Sequence, residues 1–169
     1  MKRPADPNAA KKALVDALVV KLEEELANMR RAAKDAAQAA THAEAKPEND
    51  KDTRALEASY LARGQAARVA EIETSLKELG GMALLDLVGK IVQASAVFAL
   101  EDEEGDVSWF FYAPVGGGTS LAVGLLSSAV QVLTPTSPMG AAVLGRSQGD
   151  VIELRVKGKP RELTLVDVW

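Results

Sequence analysis

Residues 137–150 read SPMGAAVLGRSQGD. Ser137-Pro138 and the glycines at 140, 145 and 149 punctuate a short apolar run, 139–144. Gly149-Asp150 then leads into the alternation Val151-Ile152-Glu153-Leu154-Arg155-Val156. Gly and Pro break regular structure while a period of two marks a strand, so the segment reads as turn, one helical turn, turn, strand. Taken alone it is an ordinary loop before a C-terminal hairpin. Its meaning depends on what stands upstream.

From about Ala9 to Glu44 the chain has no Gly or Pro, and Leu14, Leu18, Leu22, Leu26, Met29, Ala33, Ala36 and Ala40 recur at helical spacing. This predicts one long helix whose apolar seam narrows from Leu to Ala. Lys46-Pro47-Glu48-Asn49-Asp50 is a turn signal, because Pro disfavours helix at the residue before it and Asn and Asp favour turns and caps. A second helix is expected from 50–53 to about Leu79, with Leu56, Tyr60, Val69, Ile72, Leu76 and Leu79 among its apolar positions and Gly80-Gly81 as its stop. Gly64 inside it points to tight helix packing or a bend. Two long helices joined by a short turn make an antiparallel coiled-coil hairpin. At 1.5 Å per residue its first arm is roughly 50 Å long, more than a compact core requires.

Beyond Gly81 the pattern changes. A linking helix is expected at 82–87, then strands at 90–100 and 107–112 around the charged turn Glu101-Asp102-Glu103-Glu104-Gly105-Asp106. Gly116-Gly117-Gly118-Thr119-Ser120 lacks a following Gly-Lys-Ser/Thr, so it reads as a connector and not a phosphate cradle. Segments 129–133, 151–156 and 162–168 complete a small antiparallel sheet, with Trp169 over its edge. The fold class is therefore α+β, with a hairpin in 1–81 and a sheet domain in 82–169.

Composition excludes several chemistries. The chain has no Cys and a single His, which removes disulfides, a thiol nucleophile and a His/Cys metal centre; His42, beside a charge-rich turn, reads as a surface residue. The net charge is −4, with acids and bases equal in number over 1–80. No basic surface dominates, which argues against autonomous nucleic-acid binding. Met1-Lys2-Arg3 leads into Pro4, Asp6 and Pro7, not into a secretory apolar core. Asp86 and Lys90 interrupt the apolar run 82–100, short of the roughly 20 uncharged residues of a membrane span. A soluble, cytoplasmic, monomeric protein without a membrane partner is expected.

A helical hairpin followed by a small sheet domain carrying S-P-hydrophobic-G, L-G and G-D resembles the Gre family of bacterial transcript-cleavage factors, GreA and GreB. The residues that carry the resemblance are Thr134-Pro135-Thr136-Ser137-Pro138-Met139-Gly140 with Val143-Leu144-Gly145 and Gly149-Asp150. The C-terminal stretch from Lys159-Pro160-Arg161 to Val168, and Gly64 with Arg68-Val69-Ala70-Glu71-Ile72-Glu73, add to it. The resemblance covers nearly the whole chain. It implies an FKBP-like C-terminal domain that docks on RNA polymerase at the secondary channel through Ser137, Pro138, Met139 and Gly140. It also implies a hairpin whose end places acids near the polymerase's catalytic magnesium. Glu48, Asp50 and Asp52 are the acids available there to hold shared Mg2+, the isolated chain holding no metal or cofactor and being no enzyme itself. Arg30, Arg31, Lys34, Arg63 and Arg68 are candidates to guide nascent RNA, and Lys51 and Arg54 to lie near its phosphates; any DNA association would be indirect.

The hairpin end departs from the family pattern. Gre factors carry D-x-x-E-N-A-E-Y where this chain has Glu48-Asn49-Asp50-Lys51-Asp52-Thr53-Arg54. Counting back from Gly64 puts Glu48 at the family's Asp and Lys51 at its Glu; matching Glu-Asn instead puts Glu48 at the Glu and Ala45 at the Asp. Neither alignment recovers both acids. The leading expectation is a factor that stimulates cleavage of backtracked RNA, and the alternative is a Gre-like paralogue that inhibits or modulates polymerase without cleavage. A peptidyl-prolyl isomerase or a chaperone arm stands further off, since isomerase sites are apolar pockets and aromatic residues are sparse here.

Overall fold

The computed structural model of the protein describes residues 3–44, 53–156 and 159–169. Two long helices, α1 (Pro7–Glu44) and α2 (Thr53–Gly80), precede the strands β1 (Val97–Asp102), β2 (Val107–Tyr112), β3 (Ser120–Leu121) and β4 (Val130–Leu133). A short helix, α3 (Pro138–Val143), and the strands β5 (Val151–Val156) and β6 (Lys159–Val168) follow. Both long helices lie where the 3.6-residue period puts them. The chain packs as two compact units, Met1–Val19 with Glu78–Trp169, and Val20–Lys77. Division by packing thus falls within α1, whereas the change of sequence pattern falls at 81/82.

The Val20–Lys77 unit is the hairpin. Leu22, Leu26, Ala36 and Ile72 are buried, and two ion pairs cross between the helices, Arg30 to Glu73 at 2.7 Å and Arg68 to Glu25 at 2.8 Å. Two sequence expectations are corrected. Leu56 and Tyr60 do not belong to the apolar seam: each is more than half exposed, because the buried stripe of α2 through Ile72 runs along another face. Gly64 does not mark close packing either. A Cβ built there meets nothing within 4 Å, and α2 runs through it unbroken.

The other unit is built on a six-stranded sheet in the order β3-β4-β2-β1-β6-β5. Every neighbouring pair is antiparallel except β2 and β4, which run parallel from Phe110–Gln131 to Tyr112–Leu133. The chain turns back through β3 before entering β4, and so arrives beside β2 in the same direction as β2. One sheet face carries Phe98, Leu100, Phe110, Tyr112, Leu163 and Leu165 in a core closed by Val143 of α3, with Met139 packed against it. Phe98 and Phe110 stack with ring centroids 5.6 Å apart.

The first turns of α1 belong to this unit, with Ala10, Lys11, Leu14 and Leu18 fully buried. Leu18 lies so close to Gly116, whose φ is +81°, that a Cβ there would come within 2.7 Å of it. Arg3 pairs with Asp167 of β6. Lys11 donates through Nζ to the Leu85 carbonyl at 2.6 Å. Burial pulls its ammonium down to about 8, partly opposed by the charge of Asp86.

That Leu85 contact belongs to a stretch the sequence misread. Residues 82–87 are irregular and not a linking helix, and the first strand begins at Val97 and not at residue 90. The backbone there is bonded to side chains and turns instead: the Leu85 N–H donates to Ser95 Oγ at 2.9 Å, and Val92 pairs with Arg146 and Gly145. Ser95 itself sits at φ 70°, a conformation that costs a non-glycine residue and breaks any strand. Trp169 was expected over the sheet edge, but it is fully buried and exchanges backbone hydrogen bonds with Val97, which prolongs the pairing of β1 with β6.

Candidate functional site

The segment 134–144 owes its shape to hydrogen bonds that its own residue types dictate. Ser137 caps α3: its Oγ accepts from the Gly140 N–H at 3.0 Å and donates to the Thr134 carbonyl at 2.9 Å. Pro138 occupies the first helical position, where a missing N–H costs nothing. Gly140 is buried, and a Cβ there would lie 1.9 Å from the Thr134 carbonyl oxygen, so only glycine fits. From β2 the Tyr112 hydroxyl donates to the Gly140 carbonyl at 3.2 Å. Burial raises the pKa of that phenol and keeps it protonated as a donor.

Of the four expected docking residues, Ser137 and Gly140 therefore hold the local fold, Pro138 is exposed, and Met139 is half-buried. Met139 also lines a cleft of about 140 Å3 with Leu100, Phe110, Leu163, Asp102, Asp106, Ser108 and Arg161. The apolar members form its floor. Its rim is charged: Arg161 meets Asp102 at 3.2 Å, and the same Asp102 accepts from the N–H groups of Glu104 and Asp106 across the β1–β2 turn. An apolar floor with a polar rim suits an apolar anchor from a partner protein. Sequence reasoning missed Asp102, Asp106 and Arg161 as members of this site. The signal that finds them is the two-residue period, which sets Asp102 with Leu100, Ser108 with Phe110 and Arg161 with Leu163.

The expected acids Glu48, Asp50 and Asp52 and the cation Lys51 lie outside the described residues, as does the side chain of Arg54. The remaining candidate cations stand on the hairpin unit. Arg30 is held by Glu73. Arg31 donates to Asn28 at 2.7 Å. Arg68 bonds both Glu25 and Glu71, and its pKa is raised chiefly by the hydrogen bond to Glu25. Lys34 is exposed, and Arg63 is exposed beside Tyr60. Arg30 and Arg68 are thus committed to carboxylates of the hairpin itself. Among the described residues no helix is long and apolar enough to cross a membrane.

The chain is similar to several solved structures. The transcription factor Gfh1 is 21% identical with a TM-score of 0.39, covering 90% of this chain and 93% of the other. GreA factor homolog 1 of Thermus thermophilus is 20% identical with a TM-score of 0.38, covering 90% and 95%. The elongation factor GreA/GreB of Nitrosomonas europaea is 19% identical with a TM-score of 0.36, covering 57% and 78%. No family model and no curated protein matches the sequence.

Proposed function

We propose that this chain is a Gre-like elongation factor that binds bacterial RNA polymerase in the cytoplasm, as a monomer. Docking uses residues 137–140 and the adjoining cleft. The observation that carries the reading is that Ser137-Pro138-Met139-Gly140, the stretch on which the resemblance rests, forms a capped helix start with Met139 facing an apolar-floored cleft. A partner side chain seated against Leu100, Phe110, Met139 and Leu163 would be ringed by Asp102, Asp106 and Arg161. The hairpin enters the secondary channel, and Glu48, Asp50 and Asp52 bring carboxylates to the polymerase's magnesium site. Those carboxylates would add a ligand for a second Mg2+, and the chemistry the ion would supply is orientation and activation of the water that cuts a backtracked transcript. Arg31, Lys34, Lys51, Arg54 and Arg63 are the cations available to nascent RNA, with DNA touched only through the polymerase. The chain lends ligands and does not catalyse by itself.

The test uses the full chain with RNA polymerase and a backtracked elongation complex. Co-elution with the polymerase is expected, together with shortening of the RNA that a paired Asp50→Ala and Asp52→Ala variant loses while still binding. Absence of co-elution would reject the proposal. A second reading, a polymerase modulator without cleavage, is favoured by Lys51, which puts a cation where one alignment with the Gre pattern calls for an acid. Co-elution with no shortening by the unmodified chain would select it.

A further inference from the structure

The cleft beside Met139 holds a charge that the fold does not use. Its floor is apolar, with Leu100, Phe110 and Leu163 each at most 8% exposed. At about 140 Å3 it lies below the roughly 300–1,000 Å3 of small-molecule pockets and has the scale of a single side chain. The charged groups of its rim are not equivalent. Asp102 is consumed within the fold: Oδ1 accepts the N–H groups of Glu104 at 3.1 Å and Asp106 at 3.0 Å, and Oδ2 accepts from Arg161 at 3.2 Å. Arg161 is thereby committed as well. Asp106 gives only its backbone N–H to that network. Neither its carboxylate nor the Ser108 hydroxyl, two residues on, has a partner among the described residues. The surroundings have the same sign: acids and bases balance over 1–80, so the net charge of −4 belongs to the rest of the chain, where five of the six residues Glu101–Asp106 are acidic.

We infer that this cleft receives an arginine side chain of the partner protein, with its aliphatic stem on the apolar floor and its guanidinium on the Asp106 carboxylate and the Ser108 hydroxyl. Long basic side chains lay their methylenes along apolar surface and keep the charged head at the polar edge. That division matches a floor of Leu100, Phe110 and Leu163 under a rim with one free carboxylate. A wholly apolar anchor would strip water from Asp106 and give it nothing to bond. An acidic anchor would meet that carboxylate while Arg161 is already held by Asp102. Between the two basic side chains, the guanidinium is the more weakly hydrated and carries five donors, which suits a half-dry rim with two acceptors side by side.

The inference rests on the function proposed above and names the chemistry of the anchor at that docking site. Its first test is independent of polymerase. The full chain, isotope-labelled for NMR, is titrated with the capped tripeptide Gly-Arg-Gly and with Gly-citrulline-Gly, which keeps the shape and loses the charge. The arginine peptide is expected to move the amide signals of Asp106, Ser108 and Leu163, and the citrulline peptide to bind roughly tenfold more weakly, the loss of one charge-assisted contact. Asp106→Asn should bind both peptides equally weakly, and Asp106→Glu should recover part of the preference. The bond from residue 106 to Asp102 is made by the backbone, so these variants keep the turn, which thermal unfolding checks. In the second test, affinity for RNA polymerase is read by co-elution across a salt series, where Asp106→Asn should weaken binding roughly tenfold and flatten its salt dependence.

No movement of those signals, equal binding of the two peptides, or a preference that survives in Asp106→Asn overturns the inference. So does co-elution with polymerase that Asp106→Asn leaves unchanged. Preference for the arginine peptide in a chain that does not co-elute with polymerase rejects the function proposed above and supports the site.

Discussion

Gly140 and Lys11 are two buried residues whose chemistry runs against their surroundings, and each fixes a measurable property. At Gly140 the obstacle to any side chain is backbone, the Thr134 carbonyl, which cannot swing aside as a flexible side chain can. Gly140→Ala is expected to cost about 3 kcal/mol or more, at the upper end of overpacking penalties, read as a lower urea midpoint. Ser137→Ala should cost about 1 kcal/mol, the usual loss of a helix cap. Lys11 has the opposite difficulty, since it is charged where water is excluded. Its pKa is about 8 in the folded chain against an ordinary 10.5, so between those values the unfolded chain binds the extra proton. Stability contributed by this group therefore rises with pH across that window and levels off above it. Urea unfolding of the protein and of Lys11→Met at a series of pH values checks this: the rise between about pH 8 and 10.5 should shrink in the variant.

At the scale of elements, α2 gives the same glycine-to-alanine change the reverse sign. Gly64 is exposed in mid-helix with open space around it, and Ala is the better helix former there. Gly64→Ala should raise stability by about 0.5–1 kcal/mol, seen as a higher melting temperature. The sequence shows that Gly64 lies in a helix but not that its face is free, since the three-dimensional neighbours decide that. The same limit applies elsewhere. Helices α1 and α2 and most strands were legible because their periods are written in consecutive residues. The stretch 82–96 was not, because its conformation depends on bonds from Lys11 and Ser95 and on a turn at positive φ. Its apolar residues suggested regular structure, yet Leu87 and Val92 are buried from an irregular backbone. At the candidate site, Ser137 and Pro138 could be read as a helix start, whereas the cleft needed three strands brought into register before Asp102, Ser108 and Arg161 met.

For the whole molecule, the division within α1 predicts how the chain can be cut. A fragment of residues 82–169 keeps every strand but loses Ala10, Lys11, Leu14 and Leu18, all fully buried in the same unit. Leu18 alone removed from its contact is a large loss, because deleting buried apolar side chains costs about 2–5 kcal/mol each. The fragment is expected to show no cooperative thermal transition by circular dichroism. Supplying residues 1–19 through a linker after Trp169 should restore one, and a sharp transition in the bare fragment would refute the argument. The hairpin, by contrast, draws both of its buried faces from 20–77.

The pairing of Arg3 with Asp167 also bears on how the protein comes into being. On a ribosome the turns around Leu14 and Leu18 are made well before β6. At roughly 5–20 residues per second, the early helix waits several seconds with its apolar side chains uncovered, whereas the hairpin can close while synthesis continues. The nascent chain therefore carries the apolar stripe at Ala10, Leu14 and Leu18 uncovered until the strands of its own unit have been made.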